Sequence, residues 1–436
     1  MLNITFMKRY ILVLIIAISH IPAIAQQRVI TLRESKDAAL SYSNTLKNGE
    51  LRVESAKAGV AAAKADYLPS VSATGVGLLG FKDFISAMPP LLEKGINNFY
   101  LLGVTGMQPL YTGGKIKTGN DLAALQLEVT RIRMQQSTDS VLLLTEQKYW
   151  NLVNIQEQQK TVAANEVLLN SVLKMQKDML ASGLIARNDL LKVKVQLSQL
   201  KVQKSKLQNG RRVALLDFSM YTGLAFDSTM TMKDTLDKQR LPVLPGASPD
   251  TLLAKNLDYQ LLKKRIDAQK LQTNLSKGDN LPSVSVGISA AQAGSFNSGL
   301  GSSFVPSGFL TVSIPISNGL WGRGKQKVRQ QKLNESIAAN DLRDAQDQIR
   351  LGITRYWYNM KDQLTQIVYA RENLELATEN MKVNQDNYKA GLSPVTDVLD
   401  AQASYQQAAG TLTTAYTDYY NQLAVYRYLT ASGNER

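Results

Sequence analysis

The chemistry open to this chain is narrow. Its 436 residues include no cysteine and a single histidine, His20. Without them there is no Cys or His zinc site, no histidine-ligated haem, no Ser-His-Asp or Cys-His nucleophile and no disulfide. Carboxylates, lysines, tyrosines and hydroxyls remain. The pair of carboxylates that stands out is Asp397 and Asp400, in Thr396-Asp397-Val398-Leu399-Asp400-Ala401. Three residues apart on a helix, the two share one face. A glycosidase would instead hold its carboxylates across a cleft, and no aromatic cleft residues accompany this pair. Asp397 also follows the Pro394 turn, where an acid suits the positive end of a helix dipole. No residue set asks for a metal or a cofactor, and the composition leans away from catalysis.

Lys and Arg outnumber Asp and Glu by 50 to 36, a formal net charge of +14. Much of the excess lies between Arg187 and Arg212, at Lys192, Lys194, Lys201, Lys204, Lys206 and Arg211. Single-strand binding would interleave such a run with aromatic residues for base stacking. None interrupts it, so the run reads as a solvated helix face and no nucleic acid is expected.

The elements that would position these residues begin with an export signal. Met7-Lys8-Arg9 precedes an apolar run from Tyr10 to Ile18, and Ala23-Ile24-Ala25 supplies a small-x-small site before Gln26. Residues 1–25 therefore read as a cleaved signal peptide that takes His20 with it, the run being short of the ~20 residues a spanning helix needs. No other stretch is long and apolar enough to span as a helix. An exported chain of this kind is soluble or a β-barrel.

The rest of the sequence follows one plan twice. Leu68-Pro69-Ser70-Val71-Ser72 returns as Leu281-Pro282-Ser283-Val284-Ser285, Tyr149-Trp150 as Tyr356-Trp357, and Ser182-Gly183-Leu184 with Asp189 as Ala390-Gly391-Leu392 with Asp397. The first repeat spans 26–222, a linker or equatorial segment 223–249, and the second repeat 250–436. Pro242, Pro245, Gly246 and Pro249 mark the linker.

Within each repeat the hydrophobic period changes in the same order. Leu32 to Asp66 and Leu252 to Lys277 read as helices. Past each Leu-Pro-Ser the period becomes two: Val284, Val286, Ile288 and Ala290 face one way, Ser283, Ser285, Gly287 and Ser289 the other, and Phe309 to Ile316 repeats the alternation. Two β-hairpins are expected, over 70–110 and 283–316, with loops at Phe81 to Asn97 and Gly294 to Ser307. Long helical hairpins follow, over 115–222 and 325–431. Their first helices, Lys115 to Leu180 and Lys325 to Lys389, would each reach roughly 100 Å. The returning helices carry coiled-coil spacing in Leu190, Val193, Leu197, Leu200 and Leu207, and in Leu412, Tyr416, Tyr419, Leu423 and Tyr426. Four strands cannot close a barrel, and open edges in lipid cost several kcal/mol per unpaired group. Strands that entered a membrane would require an oligomer, and three copies would supply twelve strands and twelve long helices.

Taken together, the doubled Leu-Pro-Ser, the Pro-Leu-x-x-Gly-Gly of Pro109 to Gly114, the Gly-Leu turns and Thr396-Asp397-Val398-Leu399-Asp400-Ala401 resemble the TolC-like outer-membrane efflux proteins, over nearly the whole mature chain. The resemblance implies a mixed, mainly α fold. It implies a homotrimer whose twelve-stranded outer-membrane β-barrel, four strands per chain, continues as a long periplasmic α-helical barrel. It implies an exit duct for a tripartite efflux pump or type I secretion system, working with a periplasmic adaptor and an inner-membrane pump, and not an enzyme. On it, Asp397 and Asp400 narrow the periplasmic aperture. Tyr388 pairs with Asp189 in a latch that holds the mouth closed, and Gly183-Leu184 and Gly391-Leu392 are the tips that meet the adaptor. A second latch bond in the family uses an Arg where this chain has Ser393. The rival reading is a soluble periplasmic coiled-coil scaffold or adaptor with the hairpins packed as a small β-domain.

Overall fold

A computed structural model describes residues 28–89, 94–236, 240–245, 253–296 and 301–431. The expected signal peptide and residues 237–239 and 246–249 of the expected linker lie outside these. The chain runs β1 (Val29–Ile30), α1 (Leu32–Tyr42), α2 (Asn44–Ala65), β2 (Ser70–Leu79), β3 (Asn98–Tyr111), α3 (Lys115–Ala181), α4 (Arg187–Thr222) and β4 (Thr231–Met232). A 3-10 turn at Leu253–Lys255 follows, then α5 (Leu257–Gly278), β5 (Ser283–Gly294), β6 (Ser303–Ser313), α6 (Ile316–Leu320), α7 (Arg323–Lys389) and α8 (Val395–Thr430). Both long helices have 67 residues and both returning helices 36. No helix among the described residues is long and apolar enough to cross a membrane.

β6 begins at Ser303, inside the loop expected over Gly294 to Ser307, and three further boundaries that differ from the sequence reading have a local cause. The helix expected over Leu32 to Asp66 breaks at Ser43, whose ψ of 115° leaves the helical region. Tyr42, the last residue of α1, packs against the left-handed Gly223 that ends α4, so closely that a Cβ there would meet its ring. The helix expected from Leu252 starts as α5 only after Asn256, whose side chain accepts the Tyr259 amide as an N-cap. The strand expected to reach Ile316 stops at Ser313. Pro315 has no amide to give a ladder, and α6 begins behind it.

One compact unit holds the sheet, α2, α5, α6, residues 115–143 of α3, 323–362 of α7 and the end of α8. The sheet is antiparallel in the order β2-β3-β5-β6, so β3 and β5 join the two hairpins and β2 and β6 are left as edges. The register places Val71, Leu102, Val104, Ile288, Val286, Leu310 and Val312 on one face, and each of them is exposed. The other face carries Ser72, Thr105, Ser289, Ser285 and Thr311, with Thr105 and Ser289 bonded through their hydroxyls at 3.3 Å. No strand of this sheet contains a charged residue. Pro109 sits in β3 beyond its last pair with β2, next to the register shift at Leu110, where a missing amide is tolerated.

The second unit is helical around a short parallel pair of β1 and β4. Its core is read directly from the heptads: Leu190, Val193, Leu197 and Leu200 of α4 are all buried, Val193 with Val172 of α3 and Val395 and Val398 of α8, and Leu197 and Leu200 with Val162 and Leu169 of α3. Trp150 stacks on Tyr420 at 4.1 Å. Tyr149, fully buried, donates to the Asp234 carboxylate at 2.5 Å and accepts the Asp234 amide at 3.2 Å. Arg211, which composition had placed on a solvated face, donates instead to the Ser228 carbonyl at 2.8 Å and to that of Met230.

Candidate functional site

Both long helices of the helical unit end in the same way. Gly183 (φ 72°) donates to the Leu180 carbonyl at 3.0 Å while Leu184 reaches back to Met179 at 2.9 Å. Gly391 (φ 74°) and Leu392 repeat this with Tyr388 and Asn387, at 3.0 and 2.8 Å. This pair of bonds satisfies the last carbonyls of a helix and needs a residue that tolerates positive φ. Nothing lies within 4 Å of where either glycine's Cβ would be, so backbone conformation alone selects glycine. The leucine after each one points away from the core, 71% exposed at Leu184 and 77% at Leu392.

Each returning helix carries an acid in its first turn, Asp189 in α4 and Asp397 in α8. Val395 and Val398 are buried, which turns Asp397 and Asp400 to the opposite side of α8. Asp397 is half-buried and Asp400 exposed, and neither has an ion-pair partner among the described residues.

Tyr388 is buried with Val172, Val193, Val395 and Val398. The expected bond from Tyr388 to Asp189 is not formed. The Tyr388 hydroxyl accepts from Gln176 Nε2 at 2.5 Å and donates to Met179 Sδ at 3.4 Å, tying α7 to α3. Asp189 stays at the surface and pairs with Lys192 of its own helix at 3.2 Å. The reason is burial. Gln176 is only 1% exposed and its amide nitrogen has no other partner, whereas Asp189 keeps solvent and a cation. Burial pushes the Tyr388 phenol above its ordinary pKa of 10.0; the Gln176 bond opposes this and the negative charge of Asp189 adds to it. Among the described residues Ser393 Oγ is buried without a hydrogen-bond partner, as is Gln176 Oε1.

Sequence reasoning missed Gln176 because glutamine is common along α3. The signal was its phase: Leu169, Val172, Gln176 and Met179 follow one helix face, and a lone polar residue on an apolar stripe asks for a partner. Above it, Gln402 donates to Gln406, Gln406 to Gln203 and Asn165 to Gln406, forming an uncharged amide seam beside a cavity of about 420 Å³.

The sequence profile of the outer membrane efflux proteins matches residues 36–224 and 248–430, each stretch covering a β-hairpin and a helical hairpin. The chain belongs to this family. Its fold is that of solved outer-membrane channels. VceC of Vibrio cholerae is 15% identical and superposes with a TM-score of 0.76, over 92% of this chain and 95% of that one. OprN is 18% identical with a TM-score of 0.79, over 92% and 90%. CmeC of Campylobacter jejuni is 17% identical with a TM-score of 0.78, over 92% and 86%. No curated protein matches the sequence significantly. As an outer membrane efflux protein the chain serves as an outer-membrane exit duct, in a family of channels and not of enzymes.

Proposed function

We propose that three copies of this efflux protein close into one duct, each giving four strands to a twelve-stranded barrel and its helical hairpins to a tube that continues into the periplasm. The observation that carries the reading is the sheet: four charge-free strands of 10 to 14 residues, one face exposed and apolar, with β2 and β6 open as edges. Strands of ~9 to 11 residues cross a bilayer when tilted, and lipid tolerates no unpaired edge. Joining β2 of one copy to β6 of the next removes every edge. The two hairpins then descend from an internal duplication, repeats 26–222 and 250–436 flanking 223–249.

At the periplasmic aperture, Asp397 and Asp400 from three copies set six carboxylates around one axis, a ring that attracts cations and repels anions. Tyr388 and Gln176 hold α7 against α3 beside that ring and keep the mouth closed. Exposed Leu184 and Leu392 offer apolar knobs to a periplasmic adaptor, which links the duct to an inner-membrane pump. The test is extraction and mass: detergent should be required, the particle should be a trimer, and it should form pores in planar bilayers. A monodisperse monomer extracted in buffer alone, without pore activity, would return the chain to the scaffold reading.

A further inference from the structure

The strand-to-helix junctions of the sheet-bearing unit carry a surface that conduction does not use. At the end of β3 Tyr111, and just past β6 Ile314, Ile316, Leu320 and Trp321, are all exposed, Trp321 at 75%. Behind them the long helices open on bases, Lys115 and Lys117 in α3 and Arg323, Lys325, Lys327 and Arg329 in α7. The two helix starts adjoin, because Asp279 accepts a hydrogen bond from Lys327 at 2.8 Å and pairs with Lys115 at 3.6 Å. The Lys327 bond, with Lys115 beside it, holds the Asp279 carboxyl below its ordinary range.

Asp279 accounts for two of the six cations. Lys117, Arg323, Lys325 and Arg329 are exposed and have no ion-pair partner among the described residues. On α3 the nearest acid is Asp121, and α7 has none before Glu335. Neither long helix has an acid in its first turn, the place where the dipole favours one and disfavours a base. The chain accepts that disadvantage twice, at the same level of the fold. Charge-free strands, then exposed apolar and aromatic side chains, then unpaired cations is the order of a bilayer interface met from its hydrocarbon side.

We propose that this basic rim binds the phosphate headgroups of anionic phospholipid in the membrane leaflet that adjoins the helices, with Trp321 and Ile316 among the upper acyl carbons. Charge complementarity selects the occupant: four unpaired cations beside an apolar belt fit a lipid that carries net negative charge, and a zwitterionic lipid leaves them uncompensated. The proposal rests on the barrel reading above.

Trp321 is the reporter. The full-length protein is reconstituted into vesicles of phosphatidylglycerol and phosphatidylcholine in equal amounts, with one lipid brominated at a time, and tryptophan quenching is measured. Trp357 lies 34 residues into α7, roughly 50 Å of rise beyond the rim, and Trp150 is buried against Tyr420 in the helical unit, so neither meets brominated chains. One basic residue near an anionic surface is worth roughly a fivefold preference. Brominated phosphatidylglycerol should therefore be enriched around Trp321 about fivefold or more over brominated phosphatidylcholine, and less so in high salt. Lys117→Gln, Arg323→Gln, Lys325→Gln and Arg329→Gln together should equalise the two lipids, while Arg323→Lys with Arg329→Lys should keep the preference. Lys115 and Lys327 stay in place to hold Asp279, and pore formation in planar bilayers checks that each variant has folded. Equal quenching in the unmodified protein, or a preference that survives the fourfold substitution, overturns the proposal and leaves the barrel intact. Absence of quenching by either lipid overturns both.

Discussion

Replacing Tyr388 by Phe tests which contact holds α7 to α3. The substitution keeps the ring among Val172, Val193, Val395 and Val398 and removes only the hydroxyl. Gln176 then has a buried N–H with nothing to donate to, and its Oε1 already lacks a partner. An orphaned buried donor costs about 1–3 kcal/mol. Gln176→Met removes both orphans at once and leaves the Tyr388 hydroxyl its weak bond to Met179, so it should cost less than Tyr388→Phe. Combining the two replaces a polar pair by an apolar one, and the double variant should be more stable than Tyr388→Phe alone by about 1–2 kcal/mol. Hydrogen exchange over the last turns of α3 and α7 reads this locally, a factor of ten per ~1.4 kcal/mol of opening free energy. Single-channel recording should show more open, high-conductance time in Tyr388→Phe and recovery in the double variant. Asp189→Asn on the Tyr388→Phe background should simply add, since no hydrogen bond joins those residues. Additive effects of Tyr388→Phe and Gln176→Met, or non-additive effects with Asp189→Asn, would refute the assignment of the bond to Gln176.

Multivalent cations applied from the periplasmic side should block the open channel, and salt should relieve the block by screening. Asp397→Ala with Asp400→Ala should abolish it; an unchanged block would place both acids off the conduction path. Alkaline pH should loosen the helical unit. Burial, and then the bond to Asp234, raise the Tyr149 pKa above its unfolded value of 10.0. A phenol held neutral by the fold gives its full stabilisation below pH 10 and loses it as pH rises beyond, about 1.4 kcal/mol by pH 11. Thermal unfolding followed from pH 9 to 11 should therefore steepen above pH 10, and Tyr149→Phe should flatten that slope.

Much of the architecture was legible because it is set locally. A helix without proline and with one heptad stripe can only lengthen, which is why the 67-residue helices and the buried Leu190, Val193, Leu197 and Leu200 could be read from spacing. The strands alternate with period two and hold no charge, and Gly183 and Gly391 sit where the backbone turns to positive φ, a preference each residue carries by itself. What the tertiary structure decided were matters of partnership between distant segments. The two-residue strands β1 and β4 have no sequence signal of their own and exist only because Val29 and Thr231 lie side by side. Arg211 became a clamp on the carbonyls of Ser228 and Met230 in place of a surface charge. Helix α1 ended at Tyr42 because Gly223 arrives against it. Tyr388 bonded to Gln176, 212 residues away, in place of Asp189. In each case the choice turns on which polar group is taken out of water, and burial belongs to the packed chain and not to any stretch of it.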